Sequence, residues 1–245
     1  MPRPWTPSRR DDPELMDAPG LPDAEVIEAY EVLRRVNSQL GNLRSVRREV
    51  GRVLSEDGPR GEKGLSVLDV GSGSGDIPGA LVKWLPGNAT VLSLDRDPMA
   101  VALARRSGLN VVRGDALRLP FADASIDLVT AVKFAHHFSG SGLARLLAEM
   151  ARVARRRVLV LDIRRHWLAY LGFMAWSRVF TDNRLVRYDG PLSVLRGFTA
   201  GELAGLGKAL PGFDWTVRNY AGFQLALVGR RIETAGRPGP GSGRT

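Results

Sequence analysis

Three glycines at alternate positions directly follow a short apolar run, and such an arrangement can bind a ligand through the backbone. Residues 66–71 predict a buried strand, and Gly71, Gly73 and Gly75 predict a tight turn that leads into a helix near Asp76. A side chain on this turn would block a ligand from lying against the backbone. The start of the helix offers free N–H groups and the positive end of its dipole.

Two acidic residues near this turn restrict the kind of ligand. Asp69 lies two residues before the first glycine, where a carboxylate would repel a pyrophosphate but suit an ammonium group. The spacing G-x-G-x-G also differs from the dinucleotide fingerprint G-x-G-x-x-G. A second apolar run, residues 90–94, ends in Asp95, whose carboxylate can accept hydrogen bonds from both hydroxyls of a ribose. The pattern indicates a ligand with a ribose, a cationic amine and no phosphate, and S-adenosylmethionine fits.

Four motifs carry a resemblance to a known family. They are residues 68–75 (LDVGSGSG), 94–95 (LD), 114–121 (GDALRLPF) and 123–129 (DASIDLV). Their order and spacing resemble the class I S-adenosylmethionine-dependent methyltransferases, and the resemblance implies an enzyme of that type with S-adenosylmethionine as its cofactor. Residues 14–17 (ELMD) and 188–199 are further similar to bacterial enzymes that methylate polyketide-type and other aromatic metabolites.

The resemblance also implies roles for individual residues. The glycine turn would wrap the methionine end of the cofactor, Asp69 would support its amine, and Asp95 would take the ribose hydroxyls. Asp115 would bind the adenine amino group, although a turn residue after a strand is the structural alternative. The candidate cofactor-binding residues are Asp69, Gly71, Ser72, Gly73, Gly75, Asp95, Arg96, Asp115, Ala116 and Lys133.

A pair of histidines, His136 and His137, follows the predicted fourth strand. An open α/β sheet binds its ligands at the carboxyl ends of its strands, and histidine is the side chain best suited to remove a proton near neutral pH. One of the two can therefore deprotonate an acceptor hydroxyl. We favour His137, by resemblance to small-molecule enzymes with such a pair; the alternative is a histidine that caps the next helix or packs on the core. No metal site is expected, because no carboxylate lies at ligand spacing.

The order of apolar segments predicts an α/β fold. Five strands that alternate with helices indicate a mostly parallel sheet with helices on both faces. Residues 213–220 and 223–228 alternate in hydropathy around Ala221 and Gly222, which predicts an antiparallel hairpin. The expected architecture is a Rossmann-like seven-stranded sheet with this hairpin at its carboxyl-terminal edge and a helical cap at the amino terminus.

Composition shifts divide the chain into segments. Residues 1–21 and 232–245 are rich in Pro, Gly and Arg and are predicted to be disordered. Residues 22–60 predict two helices that either cap the active site or pack on the sheet edge or in a dimer contact. Residues 61–231 form the expected methyltransferase domain, with a lid insertion at about 164–200.

One helix of the expected lid, residues 166–180, is apolar nearly all round. Such a helix is buried, covers an apolar ligand or lies on a membrane, and it is too short to span a bilayer. The arginines that flank the helix are compatible with a peripheral membrane contact, but we favour packing of the helix over the core as a lid. Beside it, Asp162, Asp189 and Arg196 are expected either to orient a substrate or to form structural ion pairs.

The chain of 245 residues has a net charge of +9 and no cysteine. The arginines are scattered, so an RNA partner is not expected, and the end of the fourth strand lacks the Asn/Asp-Pro-Pro-aromatic tetrapeptide of amino-group methylases that act on DNA. The amino terminus lacks the apolar region of a secretory signal, which favours a cytoplasmic protein, as a monomer or homodimer.

Four functions are compatible with these features. The favoured one is O-methylation of an apolar aromatic small molecule, a secondary metabolite. The second is C-methylation of a quinone or another lipid-like ring, which the same lid would serve. The third is methylation of RNA or protein, motivated by the charge. The fourth is a non-catalytic subunit, which the intact Asp69, Asp95 and glycines disfavour.

Overall fold

A seven-stranded sheet forms the centre of the computed structural model, which describes residues 5–57 and 64–232. The strands are β1 Ser66–Val70, β2 Thr90–Asp95, β3 Asn110–Arg113, β4 Ile126–Val132, β5 Ala154–Ile163, β6 Phe213–Tyr220 and β7 Gln224–Arg231. Their order across the sheet is β3-β2-β1-β4-β5-β7-β6. The first five strands are parallel, and the β6–β7 hairpin is antiparallel, with β7 paired to β5. The predicted fold class is confirmed.

Eight helices accompany the sheet in the described residues. They are α1 Asp23–Gln39, α2 Asn42–Asp57, α3 Asp76–Trp84, α4 Pro98–Arg106, α5 Gly140–Val153, α6 Trp167–Phe180, α7 Arg184–Arg196 and α8 Ala200–Lys208. Two short 3-10 helices, Leu15–Asp17 and Ala135–His137, lie near the carboxyl ends of the strands. None of the described helices combines the length and hydropathy needed to cross a bilayer.

Alternation along each strand divides the core into two layers. Leu68 and Val70 of β1 belong to one cluster with α5 and α8, whereas Val67 belongs to the other with α2 and α3. Because successive side chains of a strand point to opposite faces, a central parallel strand must be apolar on both sides. All seven residues of β4 are accordingly buried.

Local capping explains where several helices begin. Asp97 accepts hydrogen bonds from the backbone N–H groups of Met99 and Ala100, and Pro98 occupies the first position of α4. Thr199 and Glu202 form a capping box at the start of α8. These residue types satisfy the free N–H groups of a helix start, so the local sequence marks where both helices begin.

The amino-terminal arm differs from the predicted disorder in residues 5–21. The carboxylate of Asp189 accepts hydrogen bonds from the N–H groups of Leu15 and Met16 at 2.7 and 2.9 Å. Arg9 donates to the carbonyls of Arg196 and Phe138. The polar residues that resembled a solvated segment thus have specific partners on α7 and near β4. Residues 1–4 and 233–245 lie outside the described residues.

The two helices of the expected cap have different positions. Tyr30 of α1 donates its hydroxyl to Asp97 at 2.9 Å, and Arg34 pairs with Asp76, so α1 lies over the carboxyl ends of β1 and β2. The valines at 46, 50 and 53 of α2 pack instead into a core layer against one face of the sheet. Only α1 therefore has the position of a cap, and α2 corresponds to the sheet-packing alternative.

Candidate active site

One large cavity opens at the carboxyl ends of the parallel strands. Its volume is about 1760 Å³, more than the roughly 300–1,000 Å³ of a pocket for a single small ligand. The glycine turn, the ends of β2 and β4, and the loop after β3 line one part. The 3-10 helix at 15–17, α1, α6 and α7 line the other part. The cavity therefore has room for two molecules side by side.

The glycine turn has a conformation that only glycine adopts readily. Gly71, Gly73 and Gly75 have φ angles of 71, 54 and 93°. A side chain at Gly71 would collide with the ring of Phe134, and one at Gly75 would collide with Leu109. The packing of the turn itself thus demands glycine at two positions, while the Cβ of a residue at 73 would meet only Tyr30, at ordinary contact distance.

We expect Gly71→Ala to lower the free energy of unfolding by about 2–4 kcal/mol, because it combines a strained φ angle with overpacking. Chemical denaturation followed by circular dichroism measures the change. Gly79→Ala is the matched control: its Cβ meets nothing within 4 Å, it lies inside α3, and alanine there should stabilise slightly. Equal stabilities of the two variants would contradict this account of the turn.

Asp95, Arg96 and Ser72 lie on the wall beside the turn. The two carboxylate oxygens of Asp95 accept from the N–H groups of Gly73 at 2.8 Å and Asp97 at 3.0 Å. Each oxygen keeps capacity for another hydrogen bond, and burial raises the pKa of Asp95. The hydroxyl of Ser72 is buried without a hydrogen-bond partner among the described residues. Arg96 is ion-paired with Asp17 at 2.9 Å, at the exposed rim.

Asp69 lies elsewhere than the amine-binding role would require. Its side chain is buried behind the turn, is absent from the cavity lining, and accepts a hydrogen bond from the Thr130 hydroxyl at 2.6 Å. Burial raises the pKa of Asp69 to about 7. The structure thus gives this carboxyl a role in joining β1 to β4, and any ligand would feel it only through the intervening turn.

The remaining predicted cofactor residues lie on the cavity wall. Asp115 is exposed there, and one of its carboxylate oxygens accepts a hydrogen bond from the N–H of Leu117 at 2.8 Å. Asp115 therefore stabilises the turn after β3, and its second oxygen stays available to a ligand. Ala116 is buried beside it. Lys133 has a φ of 54°, and burial lowers its pKa to about 8, although Asp162 acts in the opposite direction.

The two histidines stack on each other at 4.5 Å, next to the end of β4. His136 is buried, with Nδ1 2.7 Å from Oδ1 of Asp162, and its backbone N–H donates to the other oxygen at 3.0 Å. Burial alone would raise the pKa of Asp162, but His136 and Lys133 lower it below its ordinary value. An ionised Asp162 therefore orients His136, and the other ring, His137, is half-buried against the cavity.

A buried carboxylate that the sequence reasoning missed accompanies this pair. Oε2 of Glu14 lies 3.6 Å from Nδ1 of His137, and Oε1 lies 3.9 Å from Nε2 of His136. Burial raises the pKa of Glu14. The pKa of His137 is well below its ordinary value, because of burial first and then the charges of His136 and Arg196. The similarity noted at residues 14–17 was the only signal for Glu14, since spacing along the chain conceals this contact.

Comparison with known proteins agrees with this geometry. Residues 67–157 match the family described as "Methyltransferase domain". The structure resembles that of the plantazolicin methyltransferase BamL, in complex with a triazolic desmethylPZN analog and SAH, with a TM-score of 0.62 and 12% identity over 83% of this chain and 91% of that one. Magnesium protoporphyrin IX methyltransferase from Synechocystis PCC 6803 gives a TM-score of 0.58, with 14% identity over 84% and 95% of the two chains. Residues 67–157 thus match a methyltransferase domain, and the sheet that contains them has the fold of these methyltransferase structures.

Among curated relatives, the chain is 36% identical to demethylmenaquinone methyltransferase of Thermus thermophilus, over 44% of this chain and 48% of the relative. It is 41% identical to phthiotriol/phenolphthiotriol dimycocerosates methyltransferase 1 of Mycobacterium ulcerans, over 38% and 34%. The chain thus spans half or less of the length of these two relatives.

The chain has one group of three potential metal ligands in its described residues. The ligand atoms of Glu14, His136 and His137 lie within 4.8 Å of one another. The two imidazole planes are inclined by only 28°, so their in-plane lone pairs run side by side rather than converging. Arg196 also places a positive charge 3.7 Å from Glu14. These features favour proton chemistry over cation binding, and the expected absence of a metal stays a prediction.

The three residues proposed to orient a substrate or form structural contacts follow the second alternative. Asp162 is engaged by His136, and Asp189 by the backbone of the arm. The guanidinium of Arg196 donates to the carbonyls of His136 and His137 at 3.2 and 2.8 Å. These side chains thus hold the histidine pair and the arm in place.

Proposed function

We propose that the chain transfers a methyl group from S-adenosylmethionine to a hydroxyl of an apolar aromatic small molecule. One observation carries this proposal: a single cavity joins the glycine turn and Asp95 to a second, apolar part, with His137 on its wall. The proposal includes a cytoplasmic location and a secondary metabolite as acceptor, and it excludes DNA and RNA.

The wall around the glycine turn fits the chemistry of the donor. Asp95 has acceptor capacity left for two hydroxyls, Ser72 offers an unpartnered hydroxyl, and Asp115 has one free oxygen. S-adenosylmethionine carries no phosphate, so this part of the cavity needs no phosphate-binding group. When bound, it supplies a methyl group on a sulfonium and leaves as a neutral thioether. The protein must then hold the acceptor in line and accept its proton.

The second part of the cavity suits an apolar acceptor. Its side chains come from the arm, α1, α6, α7 and the β6–β7 turn, and most of them are aliphatic or aromatic. They include Met16, Leu21, Val26, Leu33, Phe173, Trp176, Val186 and Phe223. Burial of apolar surface supplies about 25 cal/mol per Å², so such a wall favours a hydrophobic ring or chain.

His137 is the proposed base. Its lowered pKa keeps the imidazole neutral at physiological pH, so it can accept the proton of the acceptor hydroxyl. The carboxylates of Glu14 and Asp17, 3.6 and 3.9 Å from Nδ1, would stabilise the imidazolium that forms. Asp162 acts as a positioning residue, because its hydrogen bond orients His136. The ring of His136 stacks on that of His137 and so holds His137 in position.

A second candidate is C-methylation of a quinone or another lipid-like ring. The relative named demethylmenaquinone methyltransferase favours it, because an apolar cavity would serve a quinone ring equally well. The carbon-13 shift of the transferred methyl group in the isolated product distinguishes an O-methyl from a C-methyl product.

The test of both candidates is methyl transfer from labelled S-adenosylmethionine into three pools: small-molecule extract, total RNA and total protein. We expect label in the extract alone. A variant with Asp95→Ala should lose it, while Asp214→Ala, an exposed acid on β6, should keep it. Label in RNA or protein would refute the small-molecule proposal, and the positive charge would then be the better indicator of the acceptor.

A further inference from the structure

Helix α6 exposes an apolar stripe to solvent. Leu168, Leu171 and Val179 are 58, 48 and 73% exposed, and Ala175 between them is also exposed. This spacing places them on one face of the helix. Trp167 and Phe180 extend the exposed apolar surface at the two ends. A contiguous patch of this kind on a protein surface marks an interaction site more often than isolated exposed residues do.

The stripe adjoins the mouth of the cavity. Ala169, Phe173 and Trp176 on the same helix line the cavity, and Leu168 and Gly172 are both exposed and part of its lining. The exposed face of α6 is therefore continuous with the apolar wall inside. A molecule in contact with the stripe could pass into the cavity without crossing water.

Positive charge lies beside the stripe. Arg178 is exposed on α6, and its guanidinium donates to the carbonyl of Met174 without an ion pair in the described part of the chain. Arg184 and Arg187 follow on α7, where they pair with Glu25 and Asp182. An apolar face flanked by arginine, with tryptophan at one end, has the chemistry of a helix that lies at a lipid–water interface.

A second copy of the chain is the less suitable occupant. A stable dimer buries about 800 Å² on each partner, and the partly exposed side chains of one 14-residue helix are a small basis for that area. A protein partner on the stripe would also cover the cavity mouth. A bilayer would instead leave the mouth open to an apolar solute.

We propose that α6 docks on the surface of an anionic bilayer, so that the cavity mouth faces the acyl chains and takes its acceptor from the membrane. Only the statement that the molecule taken from the membrane is a methyl acceptor rests on the proposed function. The docking itself is measured without donor or acceptor, so its failure is distinguishable from failure of the proposed activity.

The experiment uses the full chain and vesicles of phosphatidylcholine with about 30% phosphatidylglycerol, followed by sedimentation. The variant Leu171→Gln/Val179→Gln changes two residues of the stripe that do not line the cavity. We expect its partition to fall about tenfold or more, and that of Arg178→Gln about fivefold. Val82→Gln/Ile232→Gln, two residues 55% exposed elsewhere, is the matched control and should bind as wild type.

Three results would overturn the docking. The first is equal partition of the wild type and the Leu171→Gln/Val179→Gln variant, and the second is no binding of the wild type at all. The third is conversion of a dimer to a monomer by the same variant in sedimentation velocity, which would make the stripe an interface between copies. Thermal unfolding confirms that both double variants are folded.

Discussion

The variant Asp95→Ala is expected to bind S-adenosylmethionine about 10²- to 10⁴-fold more weakly than the wild type. It removes a carboxylate that can accept two hydrogen bonds from the ligand, and it leaves the N–H groups of Gly73 and Asp97 without their present acceptor. Hydrogen bonds to a charged group contribute about 1.5–3 kcal/mol each, and about 1.4 kcal/mol corresponds to a tenfold change in affinity. Isothermal titration calorimetry with S-adenosylmethionine measures the effect directly.

Asp214→Ala is the control for loss of a carboxylate, because Asp214 is exposed on β6, at the far edge of the sheet. Its affinity should equal that of the wild type. Circular dichroism must show that Asp95→Ala is folded, since the lost hydrogen bonds hold Gly73 in the glycine turn and Asp97 at the start of α4. A folded Asp95→Ala protein with affinity within about threefold of wild type would contradict the assignment of this residue to the donor.

The variant His137→Ala is expected to lower kcat by about 10²- to 10⁴-fold with little change in KM for the donor. The reason is the loss of the group that accepts the acceptor proton. Steady-state kinetics with the acceptor identified in the labelling experiment measures the effect. His166→Ala is the control for loss of an imidazole, because His166 caps α6 and lies outside the cavity lining.

The pH profile gives a second measure of the same role. The base must be unprotonated, so the wild-type rate should fall as the pH drops through the pKa of His137. Because burial and neighbouring charges lower that pKa, the acid limb should lie below the ordinary histidine value of about 6.5. The residual activity of His137→Ala should lack this limb. An acid limb retained in the variant would assign the titration to another group.

Much of the fold was accessible from the sequence because its signals are local. The apolar run of β4 is buried on both faces, and a continuous apolar segment is what such a strand requires. Asp97 with Pro98, and Thr199 with Glu202, mark helix starts through contacts within four residues. The turn at 71–75 is equally local, since its φ angles demand glycine whatever packs around it.

The prediction for the amino-terminal arm was less accurate, because the residues that bind this arm lie far along the chain. Residues 5–21 have the composition of a disordered segment, yet Asp189 and Arg196 bind the arm from α7. The lid role of 164–200 and the disorder of the tail stay predictions.

The sequence by itself determined the sheet, the glycine turn and the acidic residue at the end of β2, because each depends on neighbours within a few residues. Only the tertiary structure decided the rest of the site. Glu14 meets the histidine pair through the packing of the arm, and Asp69 lies behind the turn because β4 covers it. The sequence also left undecided which face of α6 is exposed, since hydropathy does not show which side of an all-apolar helix packs against the protein. Long-range contacts set these positions, and a linear pattern does not encode them.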